Sequence, residues 1–395
     1  MKVLQPPSSA AGTPPEAGFM KIVAIAGSRI PSDTANSIQV MKACQALVQL
    51  GHELTLVVPA TPSSIQRPPA DEIAALYGLQ TSFDMEWVSS FDRRLFTWQA
   101  VQRARLLKPD LLYVWMVQSA VFGLRAHLPV VFEIHIQPSG LLGPAWHRGF
   151  AHIRGHKRLV SITRALVDVL QDQFDVKLDE KDIVIAPNGV DLERFASLPD
   201  PVTARRQLNF VEAPTVMCTG HLYAGRGVEL FVELAHRIPG VQFAWVGGRP
   251  QDVNEWRAKV SSQNLHNVVF TGFIPNRDLP LYQSAADVLL MPYARSIFGS
   301  SGSADSAAVA SPMKMFEYMA AERAIITSDL PVIREVLNET DAIFCPPDDV
   351  EAWKTGLEGL LSHEPRRRMF GKQARLAVEK YTWIARARKI MQGFI

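Results

Sequence analysis

Short apolar, β-branched runs alternate with stretches of helical spacing along most of this chain, and no other feature limits its fold so strongly. MKIVAIAG (20–27) is the first run, closed by glycine. The polar loop SRIPSDTANS then leads into IQVMKACQALVQL, where Val40, Cys44, Leu47 and Val48 recur at helical spacing and Gly51 supplies the stop. ELTLVV, LLYV, PVVFEI, RLVSIT and DIVIA continue the series as far as the turn Pro187-Asn188-Gly189. Continuous apolar runs separated by helices predict a parallel sheet covered on both faces. After the polar stretch SLPDPVTARRQ (Ser197–Gln207), read as a linker, the pattern restarts with PTVMCTG, VQFAWVGG, NVVFTGF, DVLLMPY, AIITSD and AIFCPP. The chain therefore reads as α/β, with two Rossmann-like doubly wound domains in tandem facing across a cleft. The expected divisions are 20–200, 206–380 and a C-terminal helix, 381–395, that crosses back to the first domain. At about 100–200 residues per domain, 395 residues fit two.

Composition removes several function classes. Cys44, Cys218 and Cys345 form no CxxC pair, which argues against a disulfide framework or a zinc site and fits a reducing compartment. The longest apolar run, LLYVWMVQSAVFGL (111–124), is shorter than the ~18–20 residues that a membrane span needs. MKVLQPPSSAAGTPPEAGF (1–19) has no apolar signal core and reads as a disordered tail, so the expected location is cytoplasmic. Net charge is only +2, yet Phe91–Arg164 holds eleven Lys/Arg against Asp92, Asp110 and Glu133. Within that stretch AWHRGFAHIRGHKR interleaves aromatic and basic residues. It reads either as a solvated face or as a patch for anionic lipid or an anionic acceptor, which would place the protein peripherally at the inner membrane face. No motif for reading nucleic acid accompanies the charge.

Ligands of doubly wound sheets bind beyond the strand carboxyl ends, so the candidate residues are those just after strands: Gly27, His135, Gly220, Gly247-Gly248 and Gly272. A dinucleotide fits poorly. Only Gly27-Ser28-Arg29-Ile30-Pro31 follows the first strand, and no acid closes the second. GHLYAGRG (220–227) imitates a P-loop, but Arg226 replaces its lysine and Gly227 removes the hydroxyl that would hold magnesium. The stretch SPMKMFEYMAAERAIITSD (311–329) is more informative. Ser311 is a good N-cap and Pro312 suits the first helical position. The first-turn amides and Lys314 would make an anion site, with Glu317 one turn along the same side. The Gly/Ser-rich segment GSSGSADS precedes it. A phosphate at Lys314 and a diol at Glu317 describe a nucleotide. A surface Lys–Glu pair is the plain alternative.

From Met20 onward the chain resembles the retaining glycosyltransferases of family 4, which have the GT-B fold. AGS, GHELTLV, FEIH, APNGVDLERF, TGHLYAGRGVEL, VVFTGFIP and SPMKMFEYMAAERAIITSDLPVIREV occur in order and carry the likeness. The resemblance implies a metal-independent transferase moving a sugar from a UDP- or GDP-sugar, with no cofactor, to a glycan, lipid-linked or small-molecule acceptor held by the first domain. It gives Glu317 the donor ribose, and the amides of Met313 and Lys314 the diphosphate, with Ser311, Gly220 and His221 close by. Arg226 and Lys314 would stabilise the leaving diphosphate, and His135 would lie beside the donor sugar. Gly27 and Ser28 would form the close-approach loop, and Gly272 and Ile274 would lie near the nucleobase. Three positions depart from the commonest pattern: Val309 where a second glutamate is usual, His221 where arginine is usual, and Arg226 where lysine is usual. Two alternatives stay open: a non-catalytic nucleotide-sugar binder or regulatory protein, and a nucleotide-sugar hydrolase or epimerase.

Overall fold

The computed structural model describes residues 18–60, 68–89, 93–297 and 307–394. Most of the tail reading and the segment Gly299–Ser306 therefore lie outside the described residues. The first domain is built on seven strands: β1 Lys21–Ile25, β2 Glu53–Pro59, β3 Asp84–Val88, β4 Leu111–Val114, β5 Val130–Ile134, β6 Lys157–Ser161 and β7 Ile183–Ile185. Six more form the second: β8 Thr215–Thr219, β9 Gln242–Val246, β10 Val268–Phe270, β11 Val288–Met291, β12 Ala324–Ser328 and β13 Ile343–Cys345. The orders are β3-β2-β1-β4-β5-β6-β7 and β10-β9-β8-β11-β12-β13, with neighbouring strands parallel. In each sheet the strand order reverses next to the first strand, between β1 and β4 and between β8 and β11. Such switch points open a crevice at the strand ends.

The apolar runs were legible because both faces of each sheet are covered. Every residue of β4, β5, β8, β9, β11 and β12 is buried. β3 (DMEWV) escapes the sequence reading because it is an edge strand with half-exposed side chains, where the apolar signal is weakest. The stretch read as a linker carries the helix Pro201–Gln207, N-capped by Asp200. Its Arg205 donates to the Ala285 carbonyl and to Asp287, both at 2.9 Å, which anchors it to the second domain.

The chain ends on the helix Trp383–Met391, whose Trp383, Ala387, Ile390 and Met391 join Phe394 in the core of the first domain. This helix packs against Ala35–Gln49, which is buried almost all round, including Gln39, Lys42 and Gln45 on its polar side. Lys42 Nζ lies 2.5 Å from Asp191 and 2.6 Å from the Gly78 carbonyl, pinning the segment after β7 to the first domain.

Candidate active site

Where the two sheets face each other, a cavity of about 700 Å³ is lined by both domains. One wall includes Gly27 and Ser28 after β1, Trp115 and Met116 after β4, and His135 after β5. The other includes Gly220, His221 and Arg226 after β8, Tyr293 after β11, and Ser311, Met313, Lys314 and Glu317 at the start of the helix Met313–Ala320. Ile274 also lines the cavity, beside Phe273, an exposed aromatic that sequence reasoning did not single out. Gly272 is not among the lining residues; its backbone pairs with Gly247, which is.

Two cations mark the second wall. Arg226 and Lys314 lie against one ring, at 5.3 and 5.2 Å from the centroid of Tyr293, and Arg226 Nη1 donates to the Tyr293 hydroxyl at 3.2 Å. Lys314 Nζ also lies 5.9 Å from the centre of Trp245 and 3.6 Å from Cys218 Sγ. Among the described residues neither has a carboxylate partner, and Arg226 Nε is buried without an acceptor. Like charges gathered without a counter-charge are unfavourable, so the pair is an anion site in its chemistry. The cradle around it is glycine-built. Gly220 has φ +121°, and a side chain there would meet Lys314 Nζ at 3.5 Å. The Gly220 carbonyl accepts from Trp245 Nε1 at 2.9 Å.

The helix start differs from the sequence reading. Pro312, not Ser311, occupies the N-cap, and no side chain caps the helix. The Ser311 hydroxyl instead accepts the Asn188 N–H at 3.2 Å, while Asn188 Nδ2 donates to the Ser311 carbonyl at 2.6 Å. Ser311 thus joins the second domain to the turn that ends the first. The amides of Met313 and Lys314 meet no acceptor among the described residues, which leaves the positive end of the helix open to the cavity. Met315, Phe316, Tyr318 and Met319 are buried, so Lys314 and Glu317 share the less buried side.

Glu317 is held rather than free. Gln283 Nε2 donates to one oxygen at 3.1 Å and Asn276 Nδ2 to the other at 3.5 Å. Arg194 Nη1 donates in turn to Asn276 Oδ1 at 2.8 Å. Neither amide was singled out from sequence, because their spacing from Glu317 has no local pattern; only the fold brings them together. His221 faces the first domain, with Nε2 3.5 Å from the Asp33 carbonyl. Burial lowers its pKa below the usual histidine value, and the Asp33 carbonyl opposes this only in part. The ring is therefore a neutral dipole at pH 7.

Two expectations acquire different physical reasons. Gly27 has an ordinary φ, and a side chain there would meet Met116 Sδ at 2.9 Å, so a larger residue would have to push the flexible Met116 side chain aside. Val309 is buried in the core of the first domain, and its carbonyl accepts from Thr163 Oγ1 at 3.0 Å. It clamps the domains together and is absent from the cavity lining. The basic stretch is also partly internal. Arg158 donates to the carbonyls of Ile390 and Gln392, and Lys157 satisfies the Ile153 carbonyl at the end of the helix Gly143–His152. Phe150 is buried and Trp146 packs edge-on to Phe122. No described helix is long and apolar enough to cross a membrane.

Two family profiles match the chain, one per domain: Glycosyltransferase Family 4 over residues 37–194 and Glycosyl transferases group 1 over residues 213–363. The chain belongs to glycosyltransferase family 4. It is 23% identical over 376 residues to the phosphatidyl-myo-inositol mannosyltransferase of Mycolicibacterium smegmatis, covering 90% of this chain and 88% of that protein. A GDP-mannose-dependent alpha-(1-6)-phosphatidylinositol monomannoside mannosyltransferase of the same organism is 34% identical over 111 residues, 27% of this chain and 29% of that one. The matched stretches span from 29% to 53% of the length of this and three other curated relatives. Among solved structures, HepE of Anabaena in complex with UDP-glucose superposes with a TM-score of 0.70 at 15% identity, covering 95% of this chain and 99% of that one. A glycosyltransferase of Rickettsia africae gives 0.73 at 12% identity over 95% and 98%. At such identity the superpositions speak for the fold alone, and that fold is GT-B, as the resemblance implied.

Proposed function

We propose that this family 4 protein is a retaining glycosyltransferase that moves a sugar from a nucleotide diphosphate, UDP or GDP, to an acceptor held against the first domain. One observation carries the reading: two cations without carboxylate partners among the described residues, and an open helix start, converge one turn from a carboxylate held by amides. The diphosphate lies against Arg226, Lys314 and the amides of Met313 and Lys314, and the ribose hydroxyls donate to Glu317. Fixed charges and N–H dipoles stabilise the departing diphosphate without reorganising, and do so without a metal ion. The acceptor attacks from the face the diphosphate leaves, whose oxygen takes the acceptor proton, so no protein nucleophile is assigned. His135 lines the opposite wall beside the sugar. HepE, bound to UDP-glucose, supports a nucleotide-sugar donor on this fold.

The test is a screen of UDP- and GDP-sugars with glycan, lipid and small-molecule acceptors. Acceptor-dependent release of nucleotide diphosphate, with the anomeric configuration kept, is the expected result. Release without acceptor dependence indicates a hydrolase, and no release from any donor indicates the non-catalytic binder. A thermal-shift panel narrows the donor first. Ligand at 100 times its dissociation constant adds about 2.7 kcal/mol, which moves the midpoint by roughly 2–4 °C in a chain of this size.

A second reading concerns where the protein works. Ile136, Leu141 and Leu142 are exposed before the helix Gly143–His152, and Arg154 is exposed beyond its far end. Apolar side chains beside basic ones suit an anionic lipid surface. Sedimentation with anionic vesicles at low salt is expected to carry the protein down; a clear pellet free of protein removes this reading.

A further inference from the structure

The first-domain wall contains a buried acid to which the transfer chemistry above gives no role. The Glu133 side chain, at the end of β5, has 0% exposure. Its Oε1 accepts from Gln39 Nε2 at 2.5 Å, His135 Nε2 at 2.6 Å and Arg386 Nη2 at 2.6 Å. Its Oε2 accepts from Arg386 Nη1 at 3.2 Å and from the Tyr113 hydroxyl. Burial on its own would raise the carboxyl; the Arg386 guanidinium, with His135 after it, outweighs burial and holds the group well below the usual carboxylate range. Glu133 is therefore an anion at neutral pH and offers only lone pairs.

Two consequences follow from that saturation. A ring nitrogen facing an ionised carboxylate at hydrogen-bond distance carries the proton, so the neutral His135 ring is the Nε2–H tautomer and Nδ1 keeps its lone pair. The Glu133 charge in turn depends on Arg386, which arrives from the last helix, 253 residues away in sequence. Arg386 Nε also donates to the carbonyls of Ala186 and Pro187, at 3.2 and 2.9 Å, so one guanidinium ties β5, the turn before Asn188 and the last helix together. A planar fork can serve both oxygens at once, which a lysine cannot. A buried ion pair adds little net stability against apolar side chains of equal volume.

We infer that Arg386 is a positioning residue of the active site: through Glu133 it fixes the Nε2–H tautomer and orientation of His135, leaving Nδ1 to accept from a hydroxyl of the bound sugar. Only the identity of that hydroxyl rests on the glycosyl-transfer reading; the tautomer does not.

Long-range proton–nitrogen correlation on the unliganded, nitrogen-15-labelled full chain reads the tautomer directly, at about pH 8.5, above the usual imidazole range. His135→Asn assigns the resonance by its loss. The wild type is expected to give the Nε2–H pattern. Arg386→Met alone strands a buried anion and can unfold the chain, so Glu133→Leu/Arg386→Met, which removes both charges, is the deciding variant. In it the ring is expected to give a mixture of both neutral tautomers, and kcat to fall about 10²-fold with nucleotide-diphosphate affinity unchanged. Arg386→Lys, retaining charge without the fork, is expected to lie between. An Nδ1–H pattern in the wild type, or a double variant matching the wild type in tautomer or in kcat, overturns the proposal. The expected tautomer pattern in a protein that transfers no sugar would retain the positioning role and refute the transfer reading instead.

Discussion

Lys314 and Arg226 place two positive charges against the same tyrosine ring, and the ring quadrupole replaces only part of what a carboxylate would give. On the proposed reading, losing either removes a leaving-group contact that strengthens as the sugar–phosphate bond breaks. Lys314→Ala and Arg226→Ala are each expected to lower kcat by roughly 10²–10³, read in a donor-saturated assay. On the proposed reading Glu317 differs, because its hydrogen bonds to the ribose form in the ground state as well. Glu317→Ala is expected to weaken nucleotide-diphosphate binding by about 1.5–3 kcal/mol, measured by titration calorimetry. An unchanged dissociation constant would remove Glu317 from the ribose site. At this scale the sequence was informative where a strand end or helix start placed a residue, as for Arg226, Lys314, Glu317 and His135. It was silent on Asn276, Gln283, Glu133 and Arg386, which act through partners far away in sequence.

Elements hold these residues by tight backbone approaches and buried pairs. Gly227 precedes the helix Val228–Arg237 with φ +82°, and a side chain there would collide with the Pro292 carbonyl. Gly227→Ala incurs about 1–2 kcal/mol for the left-handed backbone alone, plus displacement of the loop carrying Tyr293. A loss of at least that size is expected in urea denaturation, together with weaker diphosphate binding. The helix Ala35–Gln49 depends on Lys42, whose pKa burial lowers despite the Asp191 carboxylate 2.5 Å away. Lys42→Met strands a buried Asp191 and is expected to cost about 3–5 kcal/mol, with much of the loss recovered in Lys42→Met/Asp191→Leu. Equal stability of the single and double variants would mean that the pair is not coupled.

For the molecule as a whole, acid should loosen the fold. Burial lowers the imidazoles of His52, His147 and His221, so each takes up a proton more readily in the unfolded chain than in the fold. Stability is then full above about pH 6.5, the ordinary histidine value, and falls as pH drops through and below it. A thermal midpoint that stays flat from pH 7.5 to 5.5 would contradict this. The domains meet through the polar contacts Asn188–Ser311, Thr163–Val309, Arg194–Asn276 and His221–Asp33, and through apolar packing that seats Val309 in the core of the first domain and Val190 and Phe195 in that of the second.

The sequence by itself determined the two parallel sheets, since a strand buried on both faces must be apolar throughout and its connecting helix must show the helical period. It also marked the strand ends, where glycine and charge replace the apolar run. Tertiary structure alone decided what those ends face. Ser311 became a domain link, Val309 a core residue of the other domain, and a guanidinium from the last helix reached an acid on the fifth strand. Such pairings cross between domains or span more than two hundred residues, and local pattern carries no information about which side chains the folded chain brings within hydrogen-bond reach.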